Sequence, residues 1–298
     1  MNPDYSTICK SRLETLNTEG YKSLLDHFAH ATQEFSDRTS FATGDDSITF
    51  ADINRRSRNL ASYLSNHLKL AAGSRIAIQM PNHYHYAIAT WAVLRAGMVI
   101  VNTNPLYTAR ELKHQFNDSG AVALIVADSL AESTSQVIDE TGIKHVIIDR
   151  PCSANTAMQD AEKIGADYRF EDFIANMDTL AALQYTGGTT GLSKGAMLTH
   201  GNFFAAMTIT REVFPVQDDD QEIVIAPMPV YHIYGFLMSM ISTFLNGGMS
   251  ALIPNPRNID SVLAEMLRYR GSGLAGVNTL FQGMMAHPEF ENVDFSRY

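Results

Sequence analysis

The chain has 298 residues, of which 45% are hydrophobic, 18% charged and 9% aromatic. This length and composition predict a globular protein with a substantial core and exclude an intrinsically disordered chain. With 22 Lys and Arg against 32 Asp and Glu, the formal net charge is −10. An acidic balance disfavours a protein that relies on broad attraction to nucleic-acid phosphates, so we expect no nucleic-acid partner.

The cysteine content and the N-terminus both point to a reducing compartment. Cys9 and Cys152 are the only cysteines, which leaves neither a disulfide framework nor a Cys/His zinc cluster. Residues 1–11 contain Asp4 and lack a long apolar core, so they do not resemble a secretory signal. We therefore expect a cytoplasmic protein.

Hydrophobic periodicity predicts helices and strands in alternation from the start of the chain. The first predicted elements are a helix over 24–38, a hairpin over 41–50 around Gly44, and a helix over 51–67 with Arg55, Arg56 and Arg58 on a solvated face. Next come strands over 75–80, 99–102, 121–127 and 145–149, with helices over 84–96, 108–119 and 130–141 between them. The second of these helices should be N-capped by Thr108, with Glu111 completing a capping box.

Strands alternating with helices over more than a hundred residues predict an α/β fold of stacked parallel βαβ units. The least patterned stretch is 151–172, and we interpret it as a surface connection, with a sub-domain junction near 151–180.

A segment without Asp, Glu, Lys or Arg extends from Ile223 to Asn255 and meets the crude charge criterion for a membrane span. Prolines and glycines divide it, and the apolar part that remains, 233–245, is too short for a span and contains polar residues. We predict a buried helix there.

The most informative segment is a loop between two short apolar stretches. The run 180–185 enters a loop with three Gly and three Thr in six positions, 186–191, and Lys194 follows. Glycines let backbone N–H groups converge on an anion, threonine hydroxyls add donors and can ligate Mg²⁺, and lysine supplies charge, so the loop suits a polyphosphate.

The loop is neither a Walker A motif, because Ser193 precedes Lys194, nor a GxGxxG motif. The apolar 196–198 and a helix capped by Thr199 that runs to about Val213 predict the order strand, loop, strand, helix. A flexible glycine hinge is the bland alternative.

This loop resembles the signature of the acyl-adenylate-forming ligases, Tyr-Thr-(Ser/Gly)-Gly-Thr-Thr-Gly-x-x-Lys-Gly. Further segments are similar to the bacterial long-chain-fatty-acid–CoA ligases within that superfamily, and the resemblance extends over nearly the whole chain. They are Ile48–Asn54, Met80–Asn82, Leu94–Gly97, Asn102–Tyr107, Pro227–Ile233 and Gly276–Phe281.

The resemblance implies the fold of the large N-terminal domain of these ligases and ATP-dependent activation of a long-chain fatty acid to acyl-AMP, followed by transfer to coenzyme A. It implies that Thr186 lies near Mg²⁺ and that Gly187, Gly188, Thr189, Thr190 and Gly191 wrap the phosphates, with Lys194 adding charge. His232 would act near the carboxylate and the α-phosphate, although a core histidine is the bland reading. Tyr234, Phe236, Gly276, Val277 and Asn278 would line the acyl site, although Tyr234 and Phe236 fit ordinary core packing equally well, and Thr279 fits a simple N-cap.

The chain departs from the family at its end. We find no later Tyr-Gly-x-Thr-Glu segment, no ribose-binding Gly-Asp segment and no C-terminal domain with an adenylation lysine. We therefore expect an N-terminal portion, 1–298, that stops in mid-motif and performs no complete acyl-CoA synthesis alone. A shortened form of a longer ligase explains this ending better than a natural fragment does.

Other functions stay open at this stage. The alternatives are a catalytically inert acyl- or nucleotide-binding fragment and an adenylating ligase for another acid, such as an aryl-CoA ligase. A peptide-synthetase adenylation domain is disfavoured because no acidic residue lies near His232, and a P-loop kinase because the Lys-Ser/Thr ending is missing. The resemblance is compatible with a homodimer and with peripheral association of the whole ligase with the inner face of the cell membrane.

Overall fold

A computed structural model describes residues 20–150, 155–186, 192–213 and 221–298. Within these ranges, twelve strands form one sheet of seven and one of five, with helices between and around them. Most neighbouring strands run parallel, which confirms the predicted α/β class with parallel βαβ units.

The elements before the first long sheet begin with helix α1 (Leu24–Glu34), strands β1 (Thr39–Thr43) and β2 (Asp46–Thr49), and helix α2 (Phe50–Ser62). A π-helical turn, Tyr63–His67, extends α2. The hairpin turn contains Gly44 at φ 59°, a left-handed conformation that glycine adopts without strain.

The central elements alternate as predicted. They are β3 (Arg75–Gln79), α3 (Tyr84–Arg95), β4 (Val99–Asn102), α4 (Ala109–Ser119), β5 (Ala121–Val126), α5 (Asp128–Ile138), β6 (His145–Ile148), β7 (Thr156–Ala157), α6 (Met158–Ala166), β8 (Leu180–Thr186) and β9 (Lys194–Thr199).

The remaining elements are helix α7 (His200–Val213), strand β10 (Ile223–Ala226) and a helical segment composed of α8 (Ile233–Gly235), π-helical Phe236–Ser242 and α9 (Thr243–Leu245). They are followed by β11 (Met249–Leu252), α10 (Ile259–Arg268), β12 (Gly273–Leu274), α11 (Asn278–Met285) and a 3₁₀ turn at Pro288–Asn292.

The seven-stranded sheet has the order β7-β6-β5-β3-β4-β8-β9, and the five-stranded sheet has the order β12-β10-β11-β1-β2. Only the edge strands β9 and β2 pair antiparallel among the described residues. The interior strands β4 and β5 are almost entirely buried and rich in β-branched residues, as expected for parallel strands covered on both faces.

The charge-free segment is in the core. Phe244 stacks between Phe41 and Phe50, and it also contacts Phe28 and Trp91. The prediction of a buried helix at 233–245 is therefore confirmed. Within the described ranges, no helix combines the length and the apolar character that crossing a bilayer requires.

The interpretation of 151–172 as a surface connection is wrong over 156–166, which form β7 and α6, whereas 167–172 is irregular and mostly exposed, as predicted. Helix α6 packs on α2, and the backbone at Gly165 lies so close to Asn59 that an added Cβ would be 1.9 Å from the Asn59 carbonyl oxygen. Its buried positions are mainly small or polar (Ala161, Glu162, Gly165), so its hydrophobic pattern is weak. Residues 151–154 lie outside the described residues.

The prediction of a solvated arginine face on α2 is also wrong for two of its three arginines. Arg56 forms a bidentate pair with Glu162 of α6, with Nε–Oε2 and Nη2–Oε1 distances of 2.9 Å. Arg58 donates to the Phe170 carbonyl at 3.3 Å. Only Arg55 is exposed, paired with Asp52 on its own helix.

Three helix ends differ from their predicted positions. Helix α1 stops at Glu34 because the chain turns at Phe35. Helix α5 begins at Asp128. The Asp128 N–H donates to the Asp149 carboxylate at 2.7 Å, so a residue from a distant segment caps this helix. The N-cap of α11 is Val277, so Thr279 lies inside the helix and is not its cap.

Candidate active site

A cleft of about 680 Å³ opens at the carboxyl ends of β4 and β8. These parallel strands are neighbours, and their register places Asn102 beside Gln184 at the last paired position. Four segments line the cleft: the ends of both strands, the N-terminal half of α4 with the turn before it, residues 192–193, and residues 231–233. Crevices at the carboxyl ends of strands are where open α/β sheets bind ligands.

Helix α4 forms one wall of the cleft. Its first turn is fixed by the predicted capping box, in which Thr108 Oγ1 accepts from the Glu111 N–H and Glu111 Oε2 accepts from the Thr108 N–H at 2.8 Å. The hydrogen bonds from Thr108 lower the pKa of Glu111. The prediction of this cap is confirmed, and it sets where Arg110 and His114 project along the helix.

A buried hydrogen-bond network lies beneath the cleft floor. Asn102 Nδ2 donates to Gln184 Oε1 at 2.8 Å, and the Tyr86 hydroxyl donates to Asn102 Oδ1 at 2.6 Å. Gln184 Nε2 in turn donates to the Tyr231 carbonyl at 3.1 Å. The network therefore links both strands to the backbone immediately before His232.

Asn82 fixes the rest of that segment. Its Nδ2 donates to the carbonyls of Ala226 (3.1 Å) and Met228 (2.9 Å), and its Oδ1 accepts from the Val230 N–H at 2.9 Å. This explains structurally why a buried asparagine follows Met80-Pro81. Gly235 completes the arrangement, because an added Cβ would lie 2.3 Å from the Pro229 carbonyl oxygen.

His232 is exposed at the cleft, so the reading of a buried core histidine is wrong. It is the N-cap of α8, and its Nδ1 accepts from the Tyr234 N–H at 3.4 Å. A neutral ring that accepts at Nδ1 carries its proton on Nε2, and that nitrogen can donate to an anionic oxygen.

The strand, loop, strand order around the predicted phosphate loop is confirmed. β8 pairs antiparallel with β9, and Thr186 and Lys194 are direct partners in the register. Directly opposed residues project to the same face of a sheet. Thr186 lines the cleft, whereas Lys194 is exposed and is not part of its lining. Gly187, Gly188, Thr189, Thr190 and Gly191 lie outside the described residues.

Both stems of this hairpin are tied to α4. His114 Nε2 lies 2.9 Å from the Ser193 carbonyl oxygen and donates to it, and the Tyr185 hydroxyl donates to Asp118 Oδ2 at 2.5 Å. Burial and the adjacent Asp118 carboxylate raise the pKa of Tyr185, and burial also raises the pKa of Tyr107 and Tyr231. These phenols therefore stay protonated at neutral pH; Tyr185 already donates its proton to Asp118, so Tyr107 and Tyr231 are the cleft phenols left to donate to an anionic ligand.

A comparison with protein families identifies the family of the chain. Residues 28–297 match the family model described as AMP-binding enzyme. The chain belongs to this family. The resemblance predicted from the loop and its accompanying segments is thereby confirmed.

Among similar AMP-binding proteins are long-chain-fatty-acid–CoA ligases of Salmonella typhimurium (36% identical over 309 residues) and Haemophilus influenzae (37% over 313 residues). Each alignment covers 94% of this chain and 55% of the relative. The chain thus spans about half the length of the curated relatives that it matches.

Solved AMP-binding structures share the fold. A long-chain-fatty-acid–CoA ligase from Archaeoglobus fulgidus aligns with a TM-score of 0.79 at 25% identity, over 89% of this chain and 54% of that one. An anthranilate–CoA ligase in complex with anthranoyl-AMP aligns with a TM-score of 0.82 at 17% identity, over 93% and 54%. The predicted large N-terminal domain of the adenylate-forming ligases is confirmed as the fold.

The residues predicted to line an acyl site do not line this cleft in the part of the chain that the structure describes. Phe236 is 1% exposed and packs edge-on against Tyr86 and Phe203 in the core. Tyr234 is 43% exposed. Gly276, Val277 and Asn278 lie at the start of α11, with Val277 and Asn278 exposed. Their role in acyl binding stays a prediction.

Several residues of the cleft were not predicted from the sequence. They are Asn102, Tyr107, Arg110, His114, Gln184 and Ser193. Two signals were present. Asn102 and Gln184 are polar side chains at the carboxyl ends of otherwise apolar strands, and Arg110 and His114 are four residues apart, which places them on one face of a helix.

The described residues do not provide a preformed metal site. No three His, Cys, Asp or Glu side chains cluster among them, and Thr186 is the cleft hydroxyl at the position predicted to be near Mg²⁺. Mg²⁺ commonly binds through substrate phosphates and water with few protein ligands. The donor set therefore fits Mg²⁺ that arrives with a nucleotide.

Proposed function

We propose that the protein activates a long-chain fatty acid with ATP to an acyl-adenylate and then transfers the acyl group to coenzyme A. The observation that carries the proposal is the cleft at the ends of β4 and β8, because it unites Thr186 of the family signature with His232. The names of the relatives that are about 36% identical support the choice of acid.

In the first step, a carboxylate oxygen of the fatty acid attacks the α-phosphorus of ATP, and the bond to pyrophosphate breaks. A carboxylate is already ionised at neutral pH, so this step needs no general base. Its difficulty is the approach of two anions, which catalysis overcomes by neutralising phosphate charge and aligning the attack.

The cleft is suited to that task because its lining is rich in neutral donors. Thr186, Ser193 and Tyr107 line it and each carries a hydroxyl, and His232 can offer Nε2–H next to the segment that Gln184 and Asn82 fix. Lys194 adds charge at the base of the loop, and Mg²⁺ enters as part of the substrate Mg·ATP. In the second step, the coenzyme A thiolate attacks the acyl carbon and AMP leaves.

An aryl-CoA ligase is the second candidate. Its support is structural likeness to the anthranilate and benzoate CoA ligases at 17% and 20% identity, which is evidence for the fold alone. The curated relatives at higher identity favour a fatty acid. We also propose that residues 1–298 alone do not complete acyl-CoA synthesis, since they correspond to about half of those relatives.

The test is calorimetric titration of Mg·ATP into the protein and into a Lys194→Ala variant. We expect saturable binding that Lys194→Ala weakens by about tenfold, because a charge-assisted contact to phosphate is lost. Lys163→Ala, which removes an exposed lysine on α6, is the control with unchanged affinity. No binding, or equal affinity for the protein and its Lys194→Ala variant, would contradict the proposal.

A further inference from the structure

Arg110 is a cation on the wall of the cleft that no structural role accounts for. It is the second residue of α4, its side chain is exposed, and it lines the same cleft as Thr186 and Ser193. Within residues 20–150, 155–186, 192–213 and 221–298, it has neither an ion pair nor a side-chain hydrogen bond.

Its position on the helix is electrostatically unfavourable. The N-terminus of a helix carries partial positive charge, so acidic residues stabilise the first turn and a cation there is repelled. The neighbouring carboxylate, Glu111, is already engaged by the Thr108 N–H at 2.8 Å and by the Thr108 hydroxyl at 2.7 Å. A ligand anion in the cleft would neutralise both the partial positive charge of the helix N-terminus and the charge of Arg110.

The wall that carries Arg110 is fixed to the hairpin around the loop. One turn further along α4, His114 donates to the Ser193 carbonyl, and one turn beyond that, Asp118 accepts from Tyr185. These contacts hold the helix to the residues that enter and leave the loop. The backbone at Arg110 is therefore held in a set position relative to Thr186.

The charge of the cleft contrasts with that of the whole chain. The protein has a formal net charge of −10, yet the described lining of the cleft contains one carboxylate, Glu111, and one guanidinium, Arg110. In an acidic protein, attraction of a polyanion depends on such local cations. A guanidinium also matches phosphate oxygens with two parallel N–H donors.

We infer that Arg110 binds the pyrophosphate half of ATP, and the pyrophosphate released from it, from helix α4. This inference rests on the proposed function, since it assumes that polyphosphate occupies the cleft beside Thr186. It adds a second cation, on a different element from Lys194, to the binding site.

The experiment is titration of Mg·pyrophosphate into the protein, followed by ³¹P NMR, with Arg110→Gln, Arg110→Lys and Arg55→Gln variants. We expect Arg110→Gln to weaken binding by about tenfold or more. Arg110→Lys should weaken it less, because lysine keeps the positive charge but lacks the two parallel N–H donors of the guanidinium. Arg55→Gln removes an exposed charge on α2, away from the cleft lining, and should leave affinity unchanged.

The outcomes separate this inference from the proposed function. If the unsubstituted protein binds Mg·pyrophosphate and Lys194→Ala weakens that binding, whereas Arg110→Gln does not, only the role of Arg110 is overturned. If the unsubstituted protein does not bind Mg·pyrophosphate, both are overturned. If Arg55→Gln weakens binding as much as Arg110→Gln does, the effect is one of net charge and the role of Arg110 is again overturned.

Discussion

His200 shows how much a single buried side chain can determine at the residue scale. It begins α7 directly after the predicted phosphate loop and strand β9, and it is 2% exposed. Its Nδ1 has no hydrogen-bond partner among the described residues. Burial lowers the pKa of His200 to about 4, so the folded protein holds this ring neutral at neutral pH.

This burial predicts a pH dependence of stability. The unfolded chain protonates His200 near pH 6.5, whereas the folded protein does so only near pH 4, so unfolding takes up a proton between these values. The free energy of unfolding should therefore fall as the pH falls through this window, by about 1.4 kcal/mol per pH unit for this group at full effect. His83, whose pKa burial also lowers to about 4, acts in the same direction.

Urea denaturation at pH 7, 6, 5 and 4 checks this. The side chain of His200→Gln cannot be protonated, so the free energy of unfolding of this variant should fall less per pH unit, by about the contribution of one proton. His30→Gln, at an exposed position, is the matched control. Equal slopes for His200→Gln and the unsubstituted protein would contradict the prediction.

At this scale, the sequence predicted residues whose role is local. The capping box of Thr108 and Glu111 and the cap at Thr199 depend on positions three residues apart, and both are present. Asn82 and Gln184 could not be predicted, because their hydrogen-bond partners are 144 to 148 and 47 residues away along the chain. Their polarity within apolar surroundings was the signal available.

At the scale of elements, the contact between α2 and α6 is the main departure from expectation. Arg56 and Glu162 meet in bidentate geometry, and both side chains are largely buried. A paired charge in this setting is stabilised only while its partner is present. The pair therefore fixes α6 against α2 although the helix presents few large apolar side chains.

Removing one partner of this pair should be costly. We expect Glu162→Gln to lower the free energy of unfolding by about 2 to 4 kcal/mol, because Arg56 is left as an uncompensated buried charge. The exposed neighbour offers a matched control, since Asp52→Asn breaks the Arg55 pair at the surface and should cost less than about 1 kcal/mol. Urea denaturation measures both, and equal losses for the two variants would contradict the account.

The elements that the sequence predicted well are those whose own periodicity carries the information. Strands β3 to β6 and helices α3 to α5 lie within a few residues of their predicted positions, because apolar residues recur along them at strand or helix spacing. Helix α6 was missed because only one of its four buried residues, Met158, is a large apolar side chain; the others are one charged residue and two small ones.

At the scale of the whole molecule, the cleft arises where segments far apart in sequence meet at one edge of the seven-stranded sheet. Lining residues from 102–114, 184–186, 192–193 and 231–233 converge there. The fold class followed from alternation along the chain, and the family followed from the loop motif. Neither the alternation nor the motif could predict that these segments converge, because their convergence depends on which strands pair.

We propose that this cleft belongs to a ligase that adenylates a long-chain fatty acid. Fatty-acid-dependent exchange of pyrophosphate into ATP measures that reaction. The assay compares residues 1–298 alone with a chimera that joins them to the part of the Salmonella typhimurium ligase beyond the matched region, and Lys194→Ala in the chimera is the control.

We predict exchange by the chimera with palmitate, much less with benzoate, a large loss with Lys194→Ala, and no robust exchange by residues 1–298 alone. Exchange that depends on benzoate and not on palmitate, or exchange unaffected by Lys194→Ala, would contradict the account.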